Sequence, residues 1–290
     1  MGIVDESAIK TYRYLRLGMV VLVVVLGASV LIERWKSTDS CWLTSISAYY
    51  YTPVQAIFVG ALIAIGVALI TVKGSTNFED TVLNLGGMLA PIVALVPTGM
   101  PDTSQPGDVC WSVTPLQRDP SPLIDNNFRA LAIGAALSLL LVVVIANRKG
   151  IASVRAVRNM DREPKYGLAV ATVLVVAMVI WYVCSPSFET KAHSTAAITM
   201  FVFIGLAVLS NARATRTKHH TALPYRTIYW VITIGMVAGA LLIVIMNLLL
   251  EWWDHEVLWL EIVEIGLFGA FWAVQTIEFW NDGVRLTEAE

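Results

Sequence analysis

Residues 257–280 read VLWLEIVEIGLFGAFWAVQTIEFW, a run long enough to cross a bilayer as an α-helix. The run contains three glutamates and one glutamine, although a charged side chain at the centre of a membrane helix costs about 2.5 to 3.5 kcal/mol. On a helix they fall within an arc of about 100°, which holds Glu261, Glu264, Phe268, Phe271, Gln275 and Glu278. We expect this stripe to face a partner, a cavity or a ligand rather than lipid.

The composition of the whole chain is that of a polytopic membrane protein. Of its 290 residues, 57% are apolar and 14% are charged, whereas soluble domains are about 25% charged. Mean hydropathy is +0.67. We predict an all-α transmembrane bundle that forms one integral domain, residues 1–290. The apolar runs predict eight spans, at about 14–33, 53–73, 80–98, 127–147, 166–184, 192–211, 228–250 and 257–280. The third is the weakest, because Asn84, Gly86, Gly87 and Pro91 interrupt it.

Lysine and arginine residues are distributed unevenly about these spans. If the spans alternate in direction, 15 of the 20 fall on the side that holds both termini. By the positive-inside rule, both termini are therefore predicted to be cytoplasmic. The same basic loops could attract nucleic acid or anionic lipid. We interpret them as topology signals and expect membrane lipids, rather than nucleic acid, as partners; protein partners remain open.

All three cysteines fall on the other, exterior side, where disulfides are permitted. Cys41 follows the first span and Cys110 lies in the long 99–126 outer loop, so a Cys41–Cys110 disulfide is the favoured pairing. Cys184 is either a buried thiol or the true partner of one of them. The loop itself is rich in Pro, Asp, Ser and Gly, and its length is typical of a lid or a partner surface.

Several polar residues share one predicted depth near the exterior. In a compact bundle they could converge on an outward-opening pocket, lined by Glu261, Glu264, Arg129, His193, Ser45, Tyr49 and Asn247. The two glutamates would need a proton or a cation, for which Arg129 and His193 are the nearest candidates in depth. The alternative is an Arg129–Glu ion pair that only joins helices four and eight. Ser45 and Tyr49 belong to SISAYYYTP, which is either an interfacial segment or a re-entrant stretch at the pocket mouth.

The residue pattern does not indicate a cofactor or a metal site. Zinc requires three or four ligands, and the exterior side offers His193 and His255 with no paired-histidine spacing. The sequence also contains no Gly-rich phosphate loop and no GxSxG elbow. We therefore assign no catalytic residue and leave open whether the protein is an enzyme.

Three stretches carry a family resemblance: SISAYYYTPVQAIFVGALIAIGVALI, AHSTAAITMF and VLWLEIVEIGLFGAFWAVQTIEFW. They resemble uncharacterised multi-pass bacterial membrane proteins that are distantly similar to the Frag/DRAM/Sfk group. The resemblance implies a multi-pass protein of the bacterial cytoplasmic membrane that contacts lipids. A second comparison is with the ceramidase and adiponectin-receptor-like hydrolases. This chain departs from them, because its last span has Glu261 and Glu264 in place of paired histidines.

Together these features predict an integral membrane protein with an outward-facing polar pocket that binds lipid or a small amphiphile. One alternative is a membrane-embedded lipid-modifying hydrolase or transferase, in which Glu264 or His193 acts as general base. Another is a proton- or cation-coupled transporter that uses Glu261, Glu264 and Glu278 as a relay along the last span.

Overall fold

The structure is a computed structural model that describes residues 3–36, 42–98, 120–148, 162–214, 225–249 and 255–281. Within these ranges all regular secondary structure is helical, which confirms the all-α prediction for them. A short 3₁₀ helix lies at Ser47–Tyr51. The α-helices, numbered here in chain order, are α1 (Ile3–Lys36), α2 (Gln55–Thr71), α3 (Asn77–Leu95), α4 (Ser121–Arg148), α5 (Arg162–Cys184), α6 (Ser187–Ala214), α7 (Tyr225–Leu249) and α8 (Glu256–Glu278).

Each predicted apolar run overlaps one of these helices. Among the described residues, five stretches are long and apolar enough to cross a membrane: Glu6–Lys36, Asn77–Leu95, Ser187–Ala214, Tyr225–Leu242 and Glu256–Glu278. Two further helical stretches are apolar but shorter, Gln55–Thr71 and Ala169–Cys184. The weakest predicted run forms a continuous helix, α3, with Pro91 inside it.

Six helices close into a ring. Each of α1, α2, α3, α6, α7 and α8 packs against its two neighbours in that order, and α8 returns to α1. Helices α4 and α5 lie outside the ring, where both pack against α3. The first and last helices of the chain are therefore neighbours, and the stripe on α8 can face the ring interior.

The α2–α3 contact explains why two glycines occur in the third run. A Cβ on Gly87 would lie 2.6 Å from the carbonyl oxygen of Gly66, and a Cβ on Gly66 would lie 2.8 Å from that of Gly87. Only residues without a side chain allow the two backbones to approach this closely. The glycines are thus a packing device between two helices rather than a break in α3.

Apolar side chains cover the outside of the bundle as well as its interior. Val24, Val173, Ile198 and Val231 are each more than 60% exposed. Water-soluble proteins rarely expose apolar surface on this scale. The surface therefore suits lipid, in agreement with the apolar helices.

The ring has two ends, which we name after the carboxylate that each carries. The Glu261 end holds residues 42–52 and the start of α8. The Glu79 end holds the start of α3 and the last turn of α8.

Candidate functional site

Glu261 binds the start of the short 3₁₀ helix. Its carboxylate accepts hydrogen bonds from the Ile46 amide at 2.5 Å, the Ser47 amide at 3.2 Å and the Ser47 hydroxyl at 2.7 Å. The first amides of a helix have no partner within it, so they need an external acceptor. A carboxylate suits that position because it also interacts favourably with the positive end of the helix dipole. Glu261 is thus a cap supplied by another helix.

The segment of residues 42–52 that Glu261 holds is buried. Tyr49, Tyr50 and Tyr51 are at most 8% exposed, and Ser45 is 6% exposed. The Ser45 hydroxyl accepts a hydrogen bond from the Ala48 amide at 2.9 Å. Residues 45–51 are thus buried by protein, and the two interpretations of SISAYYYTP both stay predictions.

Other contacts join the same segment to α1 and α3. The Arg34 guanidinium lies 4.4 Å from the centre of the Trp42 ring, at the start of the segment. The Tyr51 hydroxyl donates to the Thr98 carbonyl at 2.7 Å, just beyond α3. The Tyr49 hydroxyl accepts a hydrogen bond from the Leu43 backbone amide at 3.5 Å. The segment therefore extends from α1 and α8 to the end of α3, across the Glu261 end of the ring.

Glu264 is the second acid of the predicted pocket and has a different environment. It is 5% exposed, and its Oε1 atom has no hydrogen-bond partner among the described residues. It faces α7 at Gly239, where a Cβ would lie 3.7 Å from this oxygen. Gly235, one turn away, similarly faces Leu267. A carboxyl group buried among apolar side chains is costly unless it is neutralised or paired.

Arg129 and His193 do not join these glutamates. In the described part of the chain, neither forms a hydrogen bond or an ion pair with Glu261 or Glu264. Arg129 lies on α4 with its side chain 66% exposed; it pairs with Asp125 at 2.9 Å and donates to the Tyr182 hydroxyl at 2.9 Å.

His193 caps the end of α3 instead. Its Nδ1 atom lies 2.8 Å from the Val96 carbonyl oxygen, and the Asn127 amide donates to the Leu95 carbonyl at 2.8 Å. The last carbonyls of a helix lack partners within the helix, and these two side chains satisfy them. The sequence predicts a depth for His193 but cannot show that α6 packs mainly on α3 rather than on α8.

The remaining candidates are less informative. Asn247 lies in α7, but its side chain is outside the described residues, as are Cys41 and Cys110. Cys184 is an exposed free thiol at the end of α5. The described residues contain no group of three or more His, Cys, Asp or Glu side chains that could hold a metal ion.

A second polar cluster, which the sequence analysis missed, lies at the other end of the ring. Glu79 is 1% exposed, and its carboxylate accepts from the Asn211 amide at 2.7 Å, the Gln275 amide at 3.3 Å and the Ser75 backbone amide at 2.8 Å. The Glu79 backbone amide donates to the Thr76 hydroxyl at 3.1 Å, so Thr76 caps the start of α3. Glu79 therefore joins α3, α6 and α8.

Arg16 on α1 belongs to the same cluster. It is 2% exposed, interacts electrostatically with Glu79 and Glu278, and lies 5.3 Å from the centre of the Phe279 ring. Glu278 also accepts a hydrogen bond from the Tyr229 hydroxyl on α7. We counted Arg16 as a topology signal in the sequence. Its spacing from the buried Met19, Leu26 and Val30 could have placed it on the interior face.

An aromatic layer on α8 separates the two polar ends. Phe268, Phe271 and Trp272 are at most 4% exposed and pack edge to face. Glu264 and Gln275 are 11 residues apart, roughly 16 Å along the helix axis. The α8 stripe thus carries one polar group at each end of an apolar interior.

In its described residues the protein is a helical bundle with helices apolar and long enough to cross a membrane, and its helix ring carries a hydrogen-bonded carboxylate at each end. No protein-family model, curated protein or solved structure matches the chain. The resemblance to the Frag/DRAM/Sfk proteins stays a prediction.

Proposed function

We propose that the chain crosses the bacterial cytoplasmic membrane eight times, with both termini in the cytoplasm. The support is twofold: eight helices coincide with the eight apolar runs, and 15 of 20 basic residues fall on the side of the termini. Under this orientation the Glu261 end faces outward. Reporter fusions test it: a fluorescent protein that folds only in the cytoplasm should be active at both termini and inactive when inserted in the 99–126 loop. Activity in the loop would refute the orientation.

We propose that the protein binds an amphiphile with a basic head group, and that Glu264 is the group that binds it. The observation that carries the proposal is the Glu264 carboxyl, which is buried and has an oxygen without a hydrogen-bond partner in the described residues. A small residue of α7, Gly239, faces this oxygen, and the apolar Val263 lies beside the same glycine. The carboxylate can pair with an ammonium group, and the apolar residues beside it can contact the alkyl chain that the ammonium group carries.

A metal ion would fit this setting less well. Divalent metals take several oxygen, nitrogen or sulfur ligands, whereas in the described part of the chain Glu264 does not belong to a group of three or more His, Cys, Asp or Glu side chains that could hold one. An ammonium group needs a single charged partner, and its chain gains from contact with apolar side chains. The lipid-modifying enzyme is also less well supported, because His193 is bonded to a backbone carbonyl and lies on another interface.

Native mass spectrometry tests the amphiphile proposal. The purified protein is incubated with dodecylamine or with dodecanol, which has the same chain and no charge. We expect an adduct with dodecylamine alone, and loss of that adduct in Glu264→Gln. Glu189→Gln is the matched control, since Glu189 is an exposed acid near the same end that accepts a bond from Ser121. Equal binding of dodecanol, or unchanged binding in Glu264→Gln, would refute the proposal.

Proton-coupled transport is a second candidate. It is favoured by the position of Glu264 inside a ring that has a hydrogen-bonded polar group at each end. A carboxyl that lacks a fixed partner can take up and release a proton as a bundle rearranges. In proteoliposomes with a valinomycin-imposed potassium potential, an internal pH dye should report proton entry in wild type and not in Glu264→Gln. Equal entry in both would exclude this role.

A further inference from the structure

We propose that residues 42–52 form a gate over Glu264, and that Glu261 is the latch that keeps the gate closed. The inference rests on the proposed binding role of Glu264 and adds a means of controlling access to it. Residues 42–52 have no role in the binding of the amphiphile as proposed above.

The first observation is that this stretch is buried backbone outside the α-helices. Only Ser47–Tyr51 form regular structure there, as a single 3₁₀ helix. Irregular backbone at membrane depth occurs where protein buries it or where it lines a cavity. The burial of Tyr49 and Tyr50 places it in the first situation in this structure.

The second observation is how the segment is attached. Its two ends are held by covalent continuity and local contacts: Trp42 stacks on Arg34 of α1, and Thr52 leads into α2. The middle, at Ile46 and Ser47, is held to α8 by the Glu261 carboxylate. The rest of the segment is held by the burial of Tyr49, Tyr50 and Tyr51 and by the Tyr51–Thr98 hydrogen bond. Within the described residues, the hydrogen bonds that join Ile46 and Ser47 to α8 all involve the Glu261 carboxylate. This part of the segment can therefore leave α8 when that carboxylate is engaged elsewhere.

The third observation is the spacing of the two acids. Glu261 and Glu264 are three residues apart on one face of α8, so Glu264 lies roughly 4.5 Å deeper along the axis. An ammonium group that enters from the Glu261 end meets Glu261 before Glu264. Pairing with that cation competes with the amide donors of Ile46 and Ser47 for the same carboxylate oxygens. The incoming head group would thereby release the segment and expose the deeper acid.

Thiol accessibility tests the gate without any ligand. Gly239→Cys is the reporter, because a Cβ there would contact Val263 at 3.4 Å and Glu264 at 3.7 Å, which is ordinary packing. The background replaces Cys41, Cys110 and Cys184 by alanine. A membrane-impermeant cationic methanethiosulfonate is added to the face that carries the Glu261 end, and its rate of reaction with the introduced thiol is measured.

Glu261→Ala is expected to raise the labelling rate by about tenfold or more, since a hydrogen bond to a charged group is worth at least that factor in an opening equilibrium. Ser47→Ala, which removes one of the three bonds, should give a smaller rise and serves if Glu261→Ala does not fold. Glu189→Gln is again the matched control, with no change expected.

Labelling that is the same in wild type, Ser47→Ala and any folded Glu261→Ala would overturn the gate. Its failure is distinguishable from failure of the amphiphile proposal, because the labelling assay contains no amphiphile. If dodecylamine does not bind but labelling still responds to Glu261, the gate stands and its ligand must be sought in another chemical class.

Discussion

The two ends of the ring use a carboxylate in different ways. At the Glu79 end, the carboxylate binds side chains of α6 and α8, so it joins helices that are each fixed along their whole length. At the Glu261 end, the carboxylate binds backbone amides of a short connecting segment. The first arrangement can break only if helices separate. The second can break while the ring stays intact, and this difference suggests that one end is structural and the other is movable.

The largest effect is expected from Glu79→Ala. The substitution removes the carboxylate that accepts hydrogen bonds from both Asn211 and Gln275, and it removes a charge beside Arg16. Breaking a buried charged network in this way should lower the free energy of unfolding by about 3 to 5 kcal/mol. Chemical unfolding in detergent, followed by circular dichroism, measures it.

The control for that experiment is the neighbouring acid. Asp80 pairs with Lys73, whose side chain is 53% exposed, so Asp80→Ala should cost about 1 kcal/mol or less. If the two substitutions have equal effects, the Glu79 cluster is not the structural end of the ring.

Glu264→Leu should stabilise the protein. The change removes a carboxyl group whose Oε1 atom has no partner in the described residues and replaces it by a side chain that suits its surroundings. We expect the free energy of unfolding to rise by about 1 to 3 kcal/mol. Dodecylamine binding should be lost in the same variant, because removing a functional polar group often increases stability at the expense of function.

Glu278→Leu should change the free energy of unfolding in the opposite direction from Glu264→Leu. Its carboxylate accepts the Tyr229 hydroxyl, so its removal should destabilise the fold. Destabilisation by Glu264→Leu as well would mean that Glu264 has a structural partner and is not held for a ligand.

A moderate, local effect is expected from Glu261→Ala on hydrogen exchange. Exchange of the Ile46 and Ser47 amides should accelerate by about tenfold or more, while the amide of Ser75 at the Glu79 end should be unaffected. Peptide-resolved hydrogen–deuterium exchange measures both regions in one sample. Acceleration at both ends would show global loosening and would remove the distinction between them.

The smallest effect is expected from Arg129→Ala. The Arg129–Asp125 pair is exposed and lies on a helix outside the ring. The melting temperature and the dodecylamine adduct should both be the same as in wild type. A loss of binding would show that Arg129 reaches the site after all, as depth alone predicted.

The fold was predictable in its main features because apolar runs of membrane length need no partner to be recognised. The ring could not be predicted, because hydropathy gives no information about which helices are neighbours. Arg129 and His193 illustrate this: both share the depth of the glutamates, yet α4 and α6 pack on α3.

The site was predictable in part for a related reason. An acid inside a span is conspicuous, so Glu261 and Glu264 stood out in the sequence. The partners of Glu261 are backbone amides, which every residue has, and therefore no sequence pattern could reveal them. Arg16 was hidden differently: an arginine near the end of a span satisfies the charge rule for topology, and only its spacing from Met19, Leu26 and Val30 marks it as buried.

The neighbouring positions of α1 and α8 have a consequence for how the protein is made. Among the ring helices, α1 with Arg16 is synthesised first, whereas Glu278 and Phe279 lie at the end of α8, the ring helix synthesised last. Glu79 is available soon after α1, so the early chain can shelter the arginine with α3 alone. The ring can close only after α8 has been made, so a ribosome stalled before α8 would leave an open crescent of five ring helices for membrane quality-control proteases to recognise.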